Sequence, residues 1–552
     1  MKRTFKGTGK TYKGTNGSDQ LTVKGSGNTV NAKSGKKDTI TIAAGDWHTI
    51  NGGNGVDVIT VNKGNYHKIN GDSGNDTITL KNKGWDESNW WDGRKDTIHG
   101  NAGNDTIKVL AGRHEIYGDA GNDTITLGKN VAERNEVYGG AGNDSITVNG
   151  GNYHTIYAGS SAKKKKDVIT INKGTGTTVY GEEGIDKIVV TGGREHKLYG
   201  GTGNDIIQVK GATQVEMFGG DGKDAITVNG GNSHKVFTGA GNDTVNINKG
   251  DGHIIGNKDA EYTDGYGGKD TNNINKKAGN NMKIYGLDSS NETVNIYGGN
   301  QHYIALGAGE NKVLIANGKN HEVHTGNDKD RITLQNNAHV GYLVTSGGDD
   351  VITIESGAYV NNNNNDWWSL RTNDGADTVT IKAGAGNNSY VRTDEGNDKI
   401  YIRGGNNHKV WTGDGTDTIE VTGGSGHEIQ LESGKNNVTV SAKDVTLHMS
   451  HDADDSITLN WGKSKGLYTI NGTENNSIAA TDTLTINNAK FAYFTFEATT
   501  DWYKDLLLTS SDGSKILIEG WAKGTEKTSF SGIKFADGFK SFDTINKQAK
   551  LS

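Results

Sequence analysis

Apolar and polar residues alternate along most of this chain in short runs separated by turns. In Asp57-Val-Ile-Thr-Val61 the aliphatic residues recur at every second position, the period of a strand with one buried face. A polar turn follows at Asn62-Lys-Gly-Asn65, then a second alternating run at His67-Lys-Ile-Asn70, then a glycine turn that opens the next unit. The register is tight: Asp19, Asp38, Asp57 and Asp76 are each 19 residues apart, as are Asp186, Asp205, Asp224 and Asp243, and again Asp398 and Asp417. One such unit cannot bury its few aliphatics alone. Stacked coil on coil, the units bury a thin Ile/Val/Leu row and pair their strands in parallel ladders. The pattern therefore predicts an all-β chain, a parallel solenoid with two strands in each 19-residue coil. Residues 14 to 486 would give roughly two dozen coils, about 110 Å at the usual spacing of ~4.8 Å between strands.

Composition sharpens this picture. The 552 residues include 83 glycines, no proline and no cysteine, and only 31% are hydrophobic. That is too little apolar material for thick globular cores, and it excludes disulfides and cysteine-based metal sites. Proline breaks a ladder hydrogen bond at most strand positions, so a solenoid has little room for it. The net charge of −7 points away from nucleic acid. No window approaches the ~18 apolar residues of a membrane span. The start, Met1-Lys-Arg-Thr-Phe-Lys-Gly7, lacks the apolar stretch of a secretory signal peptide, which leaves the cytosol or an export route that does not read the N-terminus.

The expected organisation is a lead at 1–13, regular repeats at 14–250, irregular repeats at 251–395, further repeats at 396–486, and a small β-rich cap at 487–552. The last segment differs in texture, holding seven of the ten phenylalanines.

Chemistry concentrates in the glycine turn, as in Gly200-Gly-Thr-Gly-Asn-Asp205. Glycines permit positive φ, so several carbonyls can face one small space, and the Asp adds negative charge. Hard oxygens at that density suit Ca2+ better than softer metals. At these turns the sequence resembles the RTX family, whose Gly-Gly-x-Gly-x-Asp-x-U-x repeats form a calcium-binding parallel β-roll or β-helix. The resemblance implies calcium ions between turns of neighbouring coils, held by backbone carbonyls and by Asp19, Asp57, Asp76, Asp105, Asp123, Asp144, Asp186, Asp205, Asp224, Asp243, Asp377, Asp398 and Asp417. Only 96 to 105 shows the family's nine-residue step, so one calcium row is expected rather than two. Lysine or arginine stands beside the Asp where the glycines are lost, at Lys36-Lys-Asp38, Arg94-Lys-Asp96, Lys163 to Asp167 and Lys329-Asp330; either a tethered cation replaces the ion there or these are solvated lysines in loosened turns. Elsewhere the Asp slot reads as Asn272, Glu292, Asn311 or Asn436.

Ten histidines lie ten residues after the Asp slot: His48, His67, His154, His196, His234, His253, His302, His321, His408 and His427. Imidazoles in one register admit a pH-responsive or metal-binding row. With no second ligand type beside them, a stacked, hydrogen-bonded row is the better reading. Outward threonines such as Thr39/Thr41 and Thr77/Thr79 resemble the ice-binding faces of some β-helical antifreeze proteins, but Lys108, Val189, Gln208 and Asn246 interrupt them. The pairs Trp90-Trp91 and Trp367-Trp368 are expected to pack over bulged coils.

Residues Asp505 to Trp521 and Ile533 to Gly538 resemble the C-terminal module of RTX proteins exported by type I secretion. That resemblance implies an extracellular or cell-surface protein of a Gram-negative bacterium. Nearly all acids and histidines are accounted for by repeat register, so no catalytic centre is expected. The function expected is that of a secreted calcium-binding structural protein: a surface-layer, matrix or adhesin component. About ten bound ions would add about +20 and reverse the net charge, favouring itself or an anionic cell-surface polysaccharide as partner.

Overall fold

The computed structural model describes residues 2–33, 36–82, 95–159, 166–256, 268–286, 290–361, 369–449, 454–461, 466–471, 482–499, 504–523, 526–527 and 530–550. The chain is all-β, 52% strand, and winds as a parallel β-solenoid of about 22 turns with coils of about 19 residues. It divides into two compact units, Met1–Met282 and Lys283–Ser552.

In the first unit each coil contributes one strand to each of two parallel ladders. Thr39–Ile42 pairs with Val58–Val61, and that with Thr77–Leu80, residue for residue (Ile40 with Ile59 with Ile78). The second ladder runs Thr49–Asn51, Lys68–Asn70, Asp96–Ala102. Alternation decides what is buried: Ile40, Ile42 and Ile50 have no exposed surface, while Thr39, Thr41 and Thr49 face outward. Three aliphatics per coil thus make a core one side chain thick, each contributing ~1.5–3 kcal/mol by leaving water.

The pairing register survives interruptions of the 19-residue spacing. Asp76 and Asp105 are 29 apart, yet Thr77–Leu80 still pairs in register with Thr106–Gly112. The segment between them includes residues 83–94, so Trp90, Trp91 and Arg94 lie outside the described residues, as do Lys163 to Lys165, Trp367, Trp368 and most of the asparagine run at 361–365.

The second unit repeats the plan. Lys312–Ile315, Arg331–Leu334, Val351–Ile354, Thr378–Ile381, Lys399–Ile402 and Thr418–Val421 stack in one parallel ladder. Near its end the pairing turns antiparallel: Phe494–Ala498 with Lys504–Ser510, and that with Lys515–Lys523. The chain's one helix among the described residues, Phe542–Ala549, is capped by the Ser541 hydroxyl accepting from Thr544 N–H. Trp521, wholly buried, stacks on Phe542 and donates from Nε1 to Asn546 at 2.8 Å.

Candidate metal sites along a buried aspartate column

The Asp that closes each glycine turn sits one residue before the first strand of its coil, so the parallel register places these residues one above another. All thirteen aspartates read from the repeat are at most 1% exposed. The column takes in more residues than that reading gave. Asp350, Asp455 and Asp482 share its burial, as do Asp38, Asp167 and Asp330, which the sequence already places in the slot beside lysines. Each precedes a strand of alternating aliphatics, as in Asp350-Val-Ile-Thr-Ile354, and that pattern alone would have found them without the glycines.

Each carboxylate does one job in the backbone. Beyond Asp19, whose carboxylate accepts from the Thr15 N–H and hydroxyl, Oδ1 accepts the N–H of the corresponding residue one coil earlier: Asp57 accepts from Asp38 at 2.7 Å, Asp205 from Asp186 at 2.7 Å, Asp224 from Asp205 at 2.7 Å. The other oxygen, Oδ2, is buried without a hydrogen-bond partner at Asp38, Asp57, Asp76, Asp105, Asp123, Asp186, Asp205, Asp224 and Asp243 of the first unit, and at Asp330, Asp350, Asp377, Asp398 and Asp417 of the second. Burial pushes these acids up, and neighbouring carboxylates of the column push several further, against the pull of the backbone N–H: to about 6 at Asp57 and about 7 at Asp76, Asp123, Asp186 and Asp224. A buried acceptor with no donor is costly, and a column of them repels itself.

The glycines show what such an oxygen faces. A Cβ placed on Gly71 would stand 2.6 Å from Asp76 Oδ2 and 2.6 Å from the Gly100 carbonyl oxygen of the next coil. On Gly200 it would stand 2.6 Å from Asp205 Oδ2 and 2.3 Å from Gly219 O. In front of each such Cα, then, a carboxylate oxygen and a backbone carbonyl from the adjacent coil converge on one small space. Among the described residues no three His, Asp or Glu side chains gather at one point. With one carboxylate per coil, a cation here would lean on backbone carbonyls for the rest of its shell, as hard divalent ions do. The donor set fits Ca2+, and the orphaned Oδ2 atoms are what the ion would satisfy.

The histidine row is a different structure. His234 is wholly buried; its Nδ1 accepts Val215 N–H at 3.1 Å, so Nε2 carries the proton and donates to Gly230 O at 3.2 Å. His154, His196, His408 and His427 repeat that pair of bonds, and His48 stacks on His67, His302 on His321 and His408 on His427 with ring centroids 5.0–5.2 Å apart. Both nitrogens of His154, His196, His234, His408 and His427 are committed to backbone, and burial lowers His154, His234 and His408 to about 4. They are neutral supports of the second turn.

Three details of the repeat reading change. Asp96 does not belong to the aspartate column: it stands in the histidine register, pairing with His114, accepting His67 N–H at 2.7 Å and placing Oδ2 3.1 Å from His114 Nδ1. The nine-residue step from 96 to 105 is thus half a coil, from the second turn to the first. Asn272 is not the Asp slot either. It pairs with core-facing Val245, and Asp270 takes the slot, accepting Asp243 N–H at 2.8 Å. Third, Lys36, Lys37 and Lys329 are exposed, and Lys95 pairs with Glu136; among the described residues, no ion pair joins these lysines to the column.

One ladder went unread. The residue that leads into the first turn is aromatic through seven successive coils: Tyr117, Tyr138, Tyr157, Tyr180, Tyr199, Phe218 and Phe237 stack at centroid distances of 4.6–5.0 Å, with His99 at one end. Its signal was the recurring aromatic beside the turn, as in Tyr199-Gly200 and Phe218-Gly219.

A family model for the RTX calcium-binding nonapeptide repeat (4 copies) matches residues 92–125, 132–153 and 197–208. Those stretches contain the turns that end at Asp105, Asp123, Asp144 and Asp205. No curated protein and no solved structure matches the chain. The chain thus carries RTX calcium-binding nonapeptide repeats within a parallel β-solenoid, a build consistent with an RTX β-roll protein.

Proposed function

We propose that the chain is a secreted structural protein of the bacterial cell surface, a surface-layer, matrix or adhesin component that folds when it meets extracellular calcium after type I export. The observation that carries this is the column of buried, unpartnered Oδ2 atoms facing glycine turns. Metal-free, the column stacks carboxylates against one another; calcium at the levels that fill extracellular modules relieves that repulsion, so metal binding becomes folding free energy. Low cytosolic calcium would leave the chain loose for export. The acids and histidines at repeat positions serve backbone groups or the proposed ion row, which supports a non-catalytic role. Charge reversal on loading favours an anionic cell-surface polysaccharide, or the protein's own acidic face, as the partner.

Circular dichroism of the purified chain in calcium and then in excess chelator tests the core of this reading. The β signal is expected to form with calcium and to collapse on chelation. A spectrum indifferent to both would refute it.

A further inference from the structure

The first residue of the metal turn, five before the Asp, divides the column. In the first unit it is glycine in nine turns, from Gly14 with Asp19 to Gly219 with Asp224, the last of them among the described residues. In the second unit the same position before Asp330, Asp350, Asp377, Asp398 and Asp417 is Thr325, Thr345, Thr372, Thr393 and Thr412, every one buried. Where the slot is Asn311 or Asn436, the position is Leu306 or Leu431. The residue that faces the carboxylate thus changes together with the slot.

The threonine side chain enters the space that glycine leaves open. A Cβ on Gly200 would meet Asp205 Oδ2 and the next coil's carbonyl at 2.6 and 2.3 Å; Thr345, Thr372 and Thr393 place a real Cβ and hydroxyl in the equivalent position. Each hydroxyl donates to the carbonyl of the threonine one coil on: Thr345 to Thr372 O at 3.2 Å, Thr372 to Thr393 O at 3.1 Å, Thr393 to Thr412 O at 2.6 Å. That is the carbonyl which, in the glycine turns, faces the orphaned Oδ2. Thr238, which follows the last glycine-first turn, sends its hydroxyl instead to the Oδ2 of Asp270 in the next coil at 2.8 Å. The hydroxyl in this position thus takes up the carbonyl that would face an ion, while Oδ2 of Asp350, Asp377 and Asp398 stays without a hydrogen-bond partner, as in the glycine turns.

We infer that calcium is confined to the glycine-first turns of the first unit, and that in the coils from Thr325 to Asp417 the threonine hydroxyl takes the place of the ion. The inference rests on the calcium reading of the column and assigns its limits: Asp205 and Asp224 are ligands, whereas Asp377 and Asp398 are carboxylates enclosed by threonine. The volume left in the turn favours this. A methyl and a hydroxyl fill the volume an ion needs, and the hydroxyl holds the next coil's carbonyl that an ion would coordinate.

Calcium bound per full-length chain, measured by equilibrium dialysis and elemental analysis, tests it. Two double variants are compared with wild type, Asp205→Asn/Asp224→Asn and Asp377→Asn/Asp398→Asn. Asn already occupies this slot at 311 and 436, and circular dichroism in excess calcium checks that each variant is folded. The first pair is expected to lose at least one ion per chain and the second none. A Gly200→Thr/Gly219→Thr chain should lose calcium as the first pair does. Equal losses from both Asp pairs would overturn the inference while leaving the calcium reading intact; a wild-type chain that holds no calcium would overturn that reading itself.

Discussion

Protons and calcium compete for the same oxygen in this column, and their competition can be read at a pH where ordinary carboxylates are silent. Burial, joined by neighbouring carboxylates, raises Asp76, Asp123, Asp186 and Asp224 to about 7 in the metal-free fold, from 3.8 for a free side chain. A group raised in this way stabilises the fold fully at pH below 3.8, and its contribution is lost as pH rises through about 7. Calcium reverses the preference because it takes the deprotonated carboxylate. For one carboxyl with a pKa of about 7, moving from pH 8.5 to 6.5 lowers the ionised fraction from about 97% to about 24%, so apparent calcium affinity falls about fourfold for each such ligand. An unshifted carboxyl would change by less than about 1% over that interval. The window also stays above the range in which the folded histidine row takes up protons, with His154, His234 and His408 held at about 4. Calcium titrations followed by circular dichroism at pH 8.5, 7.5 and 6.5 are the assay, with the midpoint expected to rise at least fourfold across the range. A midpoint that moves less than twofold would show that these carboxylates do not compete with protons for the ion.

At saturating calcium the histidine row is expected to set the acid limit. Burial holds His154, His234 and His408 at about 4, below the ordinary 6.5, so their contribution is complete above pH 6.5 and declines as pH falls toward about 4. Thermal melts should drop between pH 7 and 5, and a flat profile would contradict the neutral, backbone-bonded row. Tyr157→Ala breaks the contacts of Tyr157 with Tyr138 and Tyr180 at 4.9 and 5.0 Å. At ~0.5–1.5 kcal/mol for each aromatic pair it should cost about 1–3 kcal/mol in denaturant titration with calcium present, with Tyr157→Phe close to wild type; equal losses from both would assign the effect to the hydroxyl instead.

Much of this architecture was legible in the residues. A strand has a period of two and a solenoid has a fixed coil length, so Asp57-Val-Ile-Thr-Val61 and its 19-residue repeats specify strand, inward face and parallel register together. Ile40, Ile59 and Ile78 could be placed in one buried row before any coordinates. The glycines of Gly200-Gly-Thr-Gly-Asn-Asp205 likewise announced oxygen-rich turns. Sequence spacing misled where a turn took up extra residues: counting nine back from Asp105 gave Asp96 the wrong row, and a slot counted through the insertion before Asp270 fell on Asn272.

What the sequence determined by itself was everything that repeats within a coil: the strands, their buried face, the aspartate slot and the histidine slot. What only the tertiary structure decided lies between coils, among partners 18 to 29 residues apart whose pairing the spacing alone does not give. That includes the division of labour in each carboxylate, with Oδ1 spent on the preceding coil's N–H and Oδ2 left facing a glycine. It also includes the threonine hydroxyls that reach the next coil's carbonyl in place of that open space. Local alternation fixes which way a side chain points. Whether it then meets a donor, an acceptor or an opening for an ion is set by the coil stacked against it.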